Sequence, residues 1–198
     1  MDIIFKKVNE SDYTQITKLY NYYVINSSAT YHINQLTNRE TIDFFGIGNP
    51  DTYDFGIINE GNFCGFCLLR PYSKKEGYKY TYEISIYIND ENKKKGIGKI
   101  AVNYLDEIAK QKKIKTIVAG ICSENTASIR LFEKCEYERC GYFKNMGFKY
   151  GRLLDNVYYQ KCLWIIDCFT RTYINELLLL FPTLMYGLFF YNIQLYIC

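Results

Sequence analysis

The chain has 198 residues, 48% of them hydrophobic and 23% charged, with a formal net charge of +3. That length supports one domain with a real core, and the composition is that of an ordinary globular protein. The charge is too small to argue for a nucleic-acid partner, and with one histidine, His32, and one CxxC spacing, Cys64 to Cys67, a four-ligand zinc set is missing, so no metal is expected.

The N-terminal residues Met1 to Lys7 lack a long apolar region, so no signal peptide is read there. The expected setting is cytoplasmic and reducing, with the cysteines as free thiols. Ile3 to Val8 reads as a first strand. Asn9-Glu10-Ser11-Asp12 supplies caps for a helix over about Tyr13 to Ser27, with Ile16, Leu19, Tyr20, Tyr23 and Val24 on its apolar face. A polar, turn-like stretch holds His32, which makes a histidine-based nucleophile improbable; acid–base chemistry then falls to a carboxylate, Tyr, Cys or water. A second helix is expected near Asn38 to Phe45, ended by Gly46 to Pro50. Tyr53 to Ile58 and Phe63 to Pro71 read as a strand pair joined by the hairpin signal Asn59-Glu60-Gly61-Asn62. A basic loop, Ser73 to Gly77, precedes a strand over Tyr80 to Ile88.

Helix is expected over Gly98 to Lys112, an apolar strand over Ile114 to Ile121, and a further helix from about Thr126 to Cys135 after Ser123-Glu124-Asn125. Tyr142 to Tyr150 and Tyr158 to Leu163 read as late strands. The order is mixed α/β (α+β), with one domain over residues 1–163. Residues 164–198 form a hydrophobic extension with three open readings: an added helix on the domain, a poorly ordered segment, or a C-terminal membrane anchor. Its apolar run, Leu177 to Tyr191, is broken by Pro182 and Gly187 and is short for a span, which needs about 20 residues.

The densest chemical signal is Tyr82 to Lys99. An alternating strand, Glu83 to Ile88, leads through a turn into Lys93-Lys94-Lys95-Gly96-Ile97-Gly98 at a helix start. Such a loop offers free backbone N–H groups and a positive dipole end to an anion, and its lysines suit a polyphosphate. Glu83 is a strand carboxylate close enough to serve as a base beside that anion. Read more plainly, the loop is a turn with solvated lysines, and Glu83 is paired with Lys74, Lys75 or Lys79.

The chain resembles the GNAT superfamily of acetyl-CoA-dependent N-acetyltransferases, and within it the phosphinothricin/methionine sulfoximine branch. The likeness rests on Tyr20-Asn21-Tyr22-Tyr23-Val24 through Ser28-Ala29-Thr30-Tyr31, on Tyr82 to Ile88, on the Lys93 to Gly98 loop, on Ala119-Gly120-Ile121-Cys122-Ser123-Glu124-Asn125-Thr126-Ala127-Ser128-Ile129, and on Gly147 to Asp155. It implies a mixed sheet of about six to seven strands with about four helices and strands splayed at the cofactor. It implies acetyl-CoA as co-substrate, held by backbone groups of Ile86, Tyr87 and Ile88, by Lys93, Lys94, Lys95, Gly96, Ile97, Gly98 and Lys99, and by Asn125 and Ser128; Asn125 is also an ordinary helix cap. It implies Glu83 as direct or water-mediated base for a small amine substrate, bounded by Thr30, Tyr31, Ser73, Lys74, Lys75, Ile84 and Ser85. A homodimer is a further implication, with no residue marking its interface.

Three positions depart from the branch. Phe132 stands where relatives carry His or Tyr beside the leaving thiolate, so the thiolate leaves unassisted or a neighbour such as Tyr137 helps. Lys94 and Glu136 stand where the branch usually has Gly, and Lys94 would be strained if φ is positive there. Ser73-Lys74-Lys75 replaces an Arg-rich substrate loop.

Overall fold

The computed structural model describes residues 2–163; the hydrophobic extension 164–198, with its three readings, lies outside the described residues. A seven-stranded sheet has the order β1-β2-β3-β4-β5-β7-β6. Its strands are β1 (Ile3–Lys7), β2 (Tyr53–Asn59), β3 (Asn62–Pro71), β4 (Thr81–Ile88), β5 (Thr116–Cys122), β6 (Glu138–Lys149) and β7 (Arg152–Cys162). The helices are α1 (Tyr13–Asn26), α2 (Asn38–Phe45), α3 (Ile97–Gln111) and α4 (Thr126–Lys134). All neighbouring strands run antiparallel except β4 and β5, which are parallel.

Strand periodicity sorts the core onto the two faces of the sheet. On β3, Cys67 and Leu69 join Ile84, Leu105, Ile117 and Phe132 on the face covered by α3 and α4, whereas Phe66 and Leu68 join Ile16, Tyr20, Val24 and Phe45 on the face covered by α1 and α2. The CxxC pair is therefore strand core: Cys64 and Cys67 are free and fully buried.

Local signals account for the element ends. The Thr37 hydroxyl accepts from Glu40 N–H while Glu40 accepts from Thr37 N–H, a capping box that starts α2, and Gly46 in the left-handed region ends it. Glu60 and Gly61 both have positive φ, as a tight hairpin turn requires. Tyr150 and Gly151 repeat that device, so the last hairpin turns there. The late strands accordingly start earlier than the sequence suggests, at Glu138 and Arg152. β6 escapes the pattern because nearly all of its residues are exposed and its pairing with β7 is bulged, which removes the alternation. No helix among the described residues is long and apolar enough to cross a membrane.

Candidate active site

The parallel pair at the centre of the sheet comes apart. The β4–β5 ladder runs only from Thr81↔Thr116 to Glu83↔Val118, and both strands continue beyond it unpaired with each other. The β3–β4 register shows which β4 groups this exposes. Tyr72 N–H donates to Thr81 O and Asn89 N–H to Cys64 O, so the odd-numbered residues of β4 direct their backbone groups at β3. Ile84, Ile86 and Ile88 direct theirs into the gap beside β5. Ile88 O already accepts from the Tyr23 hydroxyl at 2.5 Å. Tyr87 differs from the expectation for it: its backbone is spent on β3, and its ring packs in the aromatic cluster of Tyr20, Tyr23, Phe45 and Phe66.

Beyond β4 the chain makes the basic loop and enters α3. Among the described residues no hydrogen bond uses the N–H groups of Lys94, Lys95, Gly96, Ile97 or Gly98, while Lys99 and Ile100 donate to Gly96 O. The loop thus presents a row of free donors at a helix N-terminus. Gly96 caps the helix at φ 81°, and Lys94 also lies in the left-handed region, at φ 61°. Glu136 does the same, at φ 64°. Gly98 lets α3 approach α4: an added Cβ would lie 3.0 Å from Leu131 Cδ2. Lys93 folds back, ion-paired to Asp90 and 4.7 Å from the centre of the Tyr23 ring. Asn125 caps α4 by accepting from Ser128 N–H at 3.1 Å, which leaves its side-chain N–H groups free among the described residues.

On the α1/α2 face, a cleft of about 320 Å³ is lined by Glu83, Ser85 and Tyr87 of β4 together with Tyr20, Thr30, Tyr31, His32, Phe44 and Arg70. Glu83, Ser85 and Tyr87 are alternate residues and share one face of the strand. Glu83 pairs with Arg70, its cross-strand partner on β3, and not with a lysine of the 73–79 loop. Arg70 Nε and Nη2 both donate to Glu83 Oε2, at 3.0 and 2.8 Å, so Oε1 has no protein partner among the described residues. Arg70 Nη1 donates to Phe44 O, which anchors the guanidinium to α2. Burial raises the pKa of Tyr20, Tyr23 and Tyr87, so these phenols are hydrogen-bond donors rather than acids.

Several expected residues lie elsewhere. Ile84 is 5% exposed with its side chain in the α3 core, because even-numbered β4 residues face away from the cleft. Ser73, Lys74 and Lys75 are on the loop between β3 and β4 and do not line the cleft; both lysines are exposed. Tyr137 cannot assist a leaving group as suggested: it is buried, its hydroxyl donates to Asp106 at 2.8 Å, and burial first, with Asp106 next, pushes its pKa far up. Phe132 packs edge-on against it.

Arg70, His32 and Tyr20 are cleft residues that the sequence reading does not place in the site: Arg70 goes unremarked, His32 is set aside as a nucleophile, and Tyr20 reads as part of an apolar helix face. A lone arginine closing the apolar run Phe66-Cys67-Leu68-Leu69 was the available signal for the first. No comparable signal marks His32. It is placed by the segment after α1, which is pinned to the last hairpin: Lys149 Nζ donates to Ser27 O and Thr30 O, and Tyr31 donates to Asp155 O. Gly147 permits this, since a Cβ there would overlap the Tyr31 ring at 2.3 Å.

Parted strands, a donor-lined helix start and an adjoining carboxylate cleft lie side by side, an arrangement able to hold an anionic chain next to a second small molecule. Residues 5–158 match the acetyltransferase (GNAT) domain model, and the chain belongs to the GNAT acetyltransferases, a family of acyltransferases. It is 26% identical over 153 residues to an L-methionine sulfoximine/L-methionine sulfone acetyltransferase of Salmonella typhimurium, spanning 77% of this chain and 90% of that one. An N-acetyltransferase structure from Staphylococcus aureus Mu50 superposes with a TM-score of 0.78 at 30% identity, covering 83% of this chain and all of the other. A phosphinothricin acetyltransferase from Sinorhizobium meliloti, solved in complex with AcCoA, gives 0.77 at 27% identity over 82% of this chain and 89% of its own.

Proposed function

We propose that this chain moves an acetyl group from acetyl-CoA to the α-amine of a small amino-acid-like molecule, of the phosphinothricin or methionine sulfoximine type. The observation that carries the reading is Glu83, with one free carboxylate oxygen, in a small cleft beside the gap between β4 and β5. The names of the relatives and the AcCoA complex of the S. meliloti neighbour support the donor and the acceptor class.

Acetyl-CoA, when bound, supplies an activated thioester. The free donors of Lys94 to Gly98 would hold its pyrophosphate, the gap-facing backbone of Ile84, Ile86 and Ile88 its pantetheine arm, and Asn125 and Ser128 would border that arm from α4. On the acceptor side, an ammonium has no lone pair for attack, so a base must first take its proton. Glu83 Oε1 accepts it, directly or through a water, while Arg70 on Oε2 fixes which oxygen faces the cleft. Ser85 shares the cleft face and orients substrate or water. Phe132 has no proton to give, and that of Tyr137 is committed to Asp106, so the residues of this site act on the amine side.

The test is thiol release from acetyl-CoA by the full chain with L-amino acids, phosphinothricin and methionine sulfoximine. Release with at least one of them, lost in Glu83→Gln while acetyl-CoA still binds, is the expected result. Binding of acetyl-CoA with no release for any acceptor would instead select a cofactor-binding module that has lost activity. Release only with polyamines or protein N-termini would overturn the acceptor class.

A further inference from the structure

The same cleft contains a hydrogen-bonded chain that deprotonating an amine does not require. His32 Nδ1 lies 2.5 Å from the Tyr20 hydroxyl, which lies 2.6 Å from the Thr30 hydroxyl. Thr30 Oγ1 also accepts from the His32 backbone N–H at 3.3 Å. Each hydroxyl has one proton to place. Were Tyr20 to donate to Thr30, the Thr30 proton would find no acceptor among the described residues. Donation from Thr30 to Tyr20 and from Tyr20 to His32 Nδ1 uses both, and it leaves the ring proton on Nε2. Nε2 has no protein partner among the described residues, and His32 lines the cleft.

Behind this turn sits Lys149, 3% exposed. Its Nζ donates to Ser27 O and Thr30 O, both at 2.8 Å, and it joins no ion pair among the described residues. An ammonium held by two carbonyls, with the Tyr150 ring centre 5.2 Å away and no carboxylate partner among the described residues, places positive charge behind this end of the cleft. The opposite end carries the Glu83 carboxylate, whose Oε2 is paired with Arg70 and whose Oε1 is free among the described residues. Between them stands Phe44, whose ring centre is 4.6 Å from that of His32 and 4.9 Å from the Arg70 guanidinium. Burial first, and Lys149 second, lower the pKa of His32, which keeps the imidazole neutral at neutral pH.

We propose that His32 determines acceptor specificity: its Nε2–H, oriented through Tyr20 and Thr30 and backed by Lys149, receives the carboxylate of the amino-acid acceptor while the amine lies at Glu83. This rests on the acceptor class proposed above. The cleft then offers an N–H donor at one end and the free Glu83 oxygen at the other, one for each group of a zwitterion, and the exposed Lys74 and Lys75 are not needed to recognise its anion.

Because the chain has one histidine, NMR of isotope-labelled histidine in untagged full-length protein reads this site alone. At neutral pH the ring should be neutral with its proton on Nε2. L-Methionine sulfone should shift the Nε2 signal, and its decarboxylated amine should not. His32→Phe should raise KM for L-methionine sulfone about tenfold, the loss of one hydrogen bond to a charged group, with the KM for acetyl-CoA unmoved. A ring protonated on Nδ1, a signal that answers both ligands alike, or an unchanged acceptor KM overturns the proposal. The NMR readout does not need turnover. A carboxylate-specific shift without thiol release would sink the acetyl-transfer reading and leave this one standing, and thiol release without such a shift would do the reverse.

Discussion

Strand β4 presents two chemistries from one backbone. Tyr82, Ile84, Ile86 and Ile88 face the apolar core under α3, while Glu83, Ser85 and Tyr87 face a cleft lined by phenols, an arginine and a histidine. Neighbouring residues on this strand therefore live in different solvents. The lesson is that parity, not proximity in sequence, separates stability from chemistry here, and substitutions one residue apart should differ in kind.

The largest expected effect is on the cleft side. Glu83→Gln keeps the shape and removes the proton acceptor, so kcat should fall by about 10² to 10⁴, the usual worth of a general base. The thermal midpoint should move little, because the Arg70–Glu83 pair is partly solvated. A rate loss under about tenfold, in steady-state thiol release, would remove Glu83 from the base role. One residue on, Ile84→Ala should do the opposite. It empties a core position and should lower unfolding free energy in urea by about 2 to 4 kcal/mol, with kcat per folded molecule kept. Equal stability with a collapsed rate would put Ile84 back beside the substrate.

Tyr137→Phe probes whether the thiolate side holds hidden chemistry. Its hydroxyl serves Asp106, which also receives Lys161 Nζ at 2.9 Å. Removing it leaves one buried carboxylate oxygen without its donor, a loss of about 1 to 3 kcal/mol in stability. The pH–rate profile should not change. A normal melting curve with a much lower kcat would make Tyr137 the proton donor to the leaving thiolate after all.

The anion loop was legible because it is local, whereas its assignment to acetyl-CoA came from the family resemblance. The alternation of Tyr82 to Ile88, and a lysine and glycine loop before an amphipathic run, are contained within one strand–loop–helix unit, although the β3 register decides which β4 backbone groups face the gap. The strain at Lys94 could be anticipated too, because the resemblance expects Gly there. The acceptor half was not legible because it is assembled across the chain. Arg70 meets Glu83 through a hairpin register that the long loop between Pro71 and Thr81 does not determine. His32 reaches the cleft only because Lys149 and Tyr31 tie its turn to β6 and β7. Lys74 and Lys75 looked suitable by charge, but nothing local says whether a loop lysine turns inward.

The smallest effects lie in the anion loop, where two residues adopt the same backbone region with different side chains. Lys94 has φ 61° and Gly96 φ 81°. An L side chain in this region costs roughly 1 kcal/mol or more, which glycine avoids. No atom of the described residues lies within 4 Å of where a Gly96 Cβ would sit, so Gly96→Ala isolates the backbone cost. It should destabilise by about 1 kcal/mol. Lys94→Gly should move the other way, by about 0.5 kcal/mol, since relief of strain is partly offset by the greater freedom of glycine in the unfolded chain. Acetyl-CoA affinity, measured by calorimetry, should fall less than about fivefold in Lys94→Gly, because an exposed lysine contributes only a screened charge once the grip comes from backbone N–H groups. A drop of about a hundredfold or more would mean that the Lys94 ammonium, and not the shape of the loop, holds the pyrophosphate.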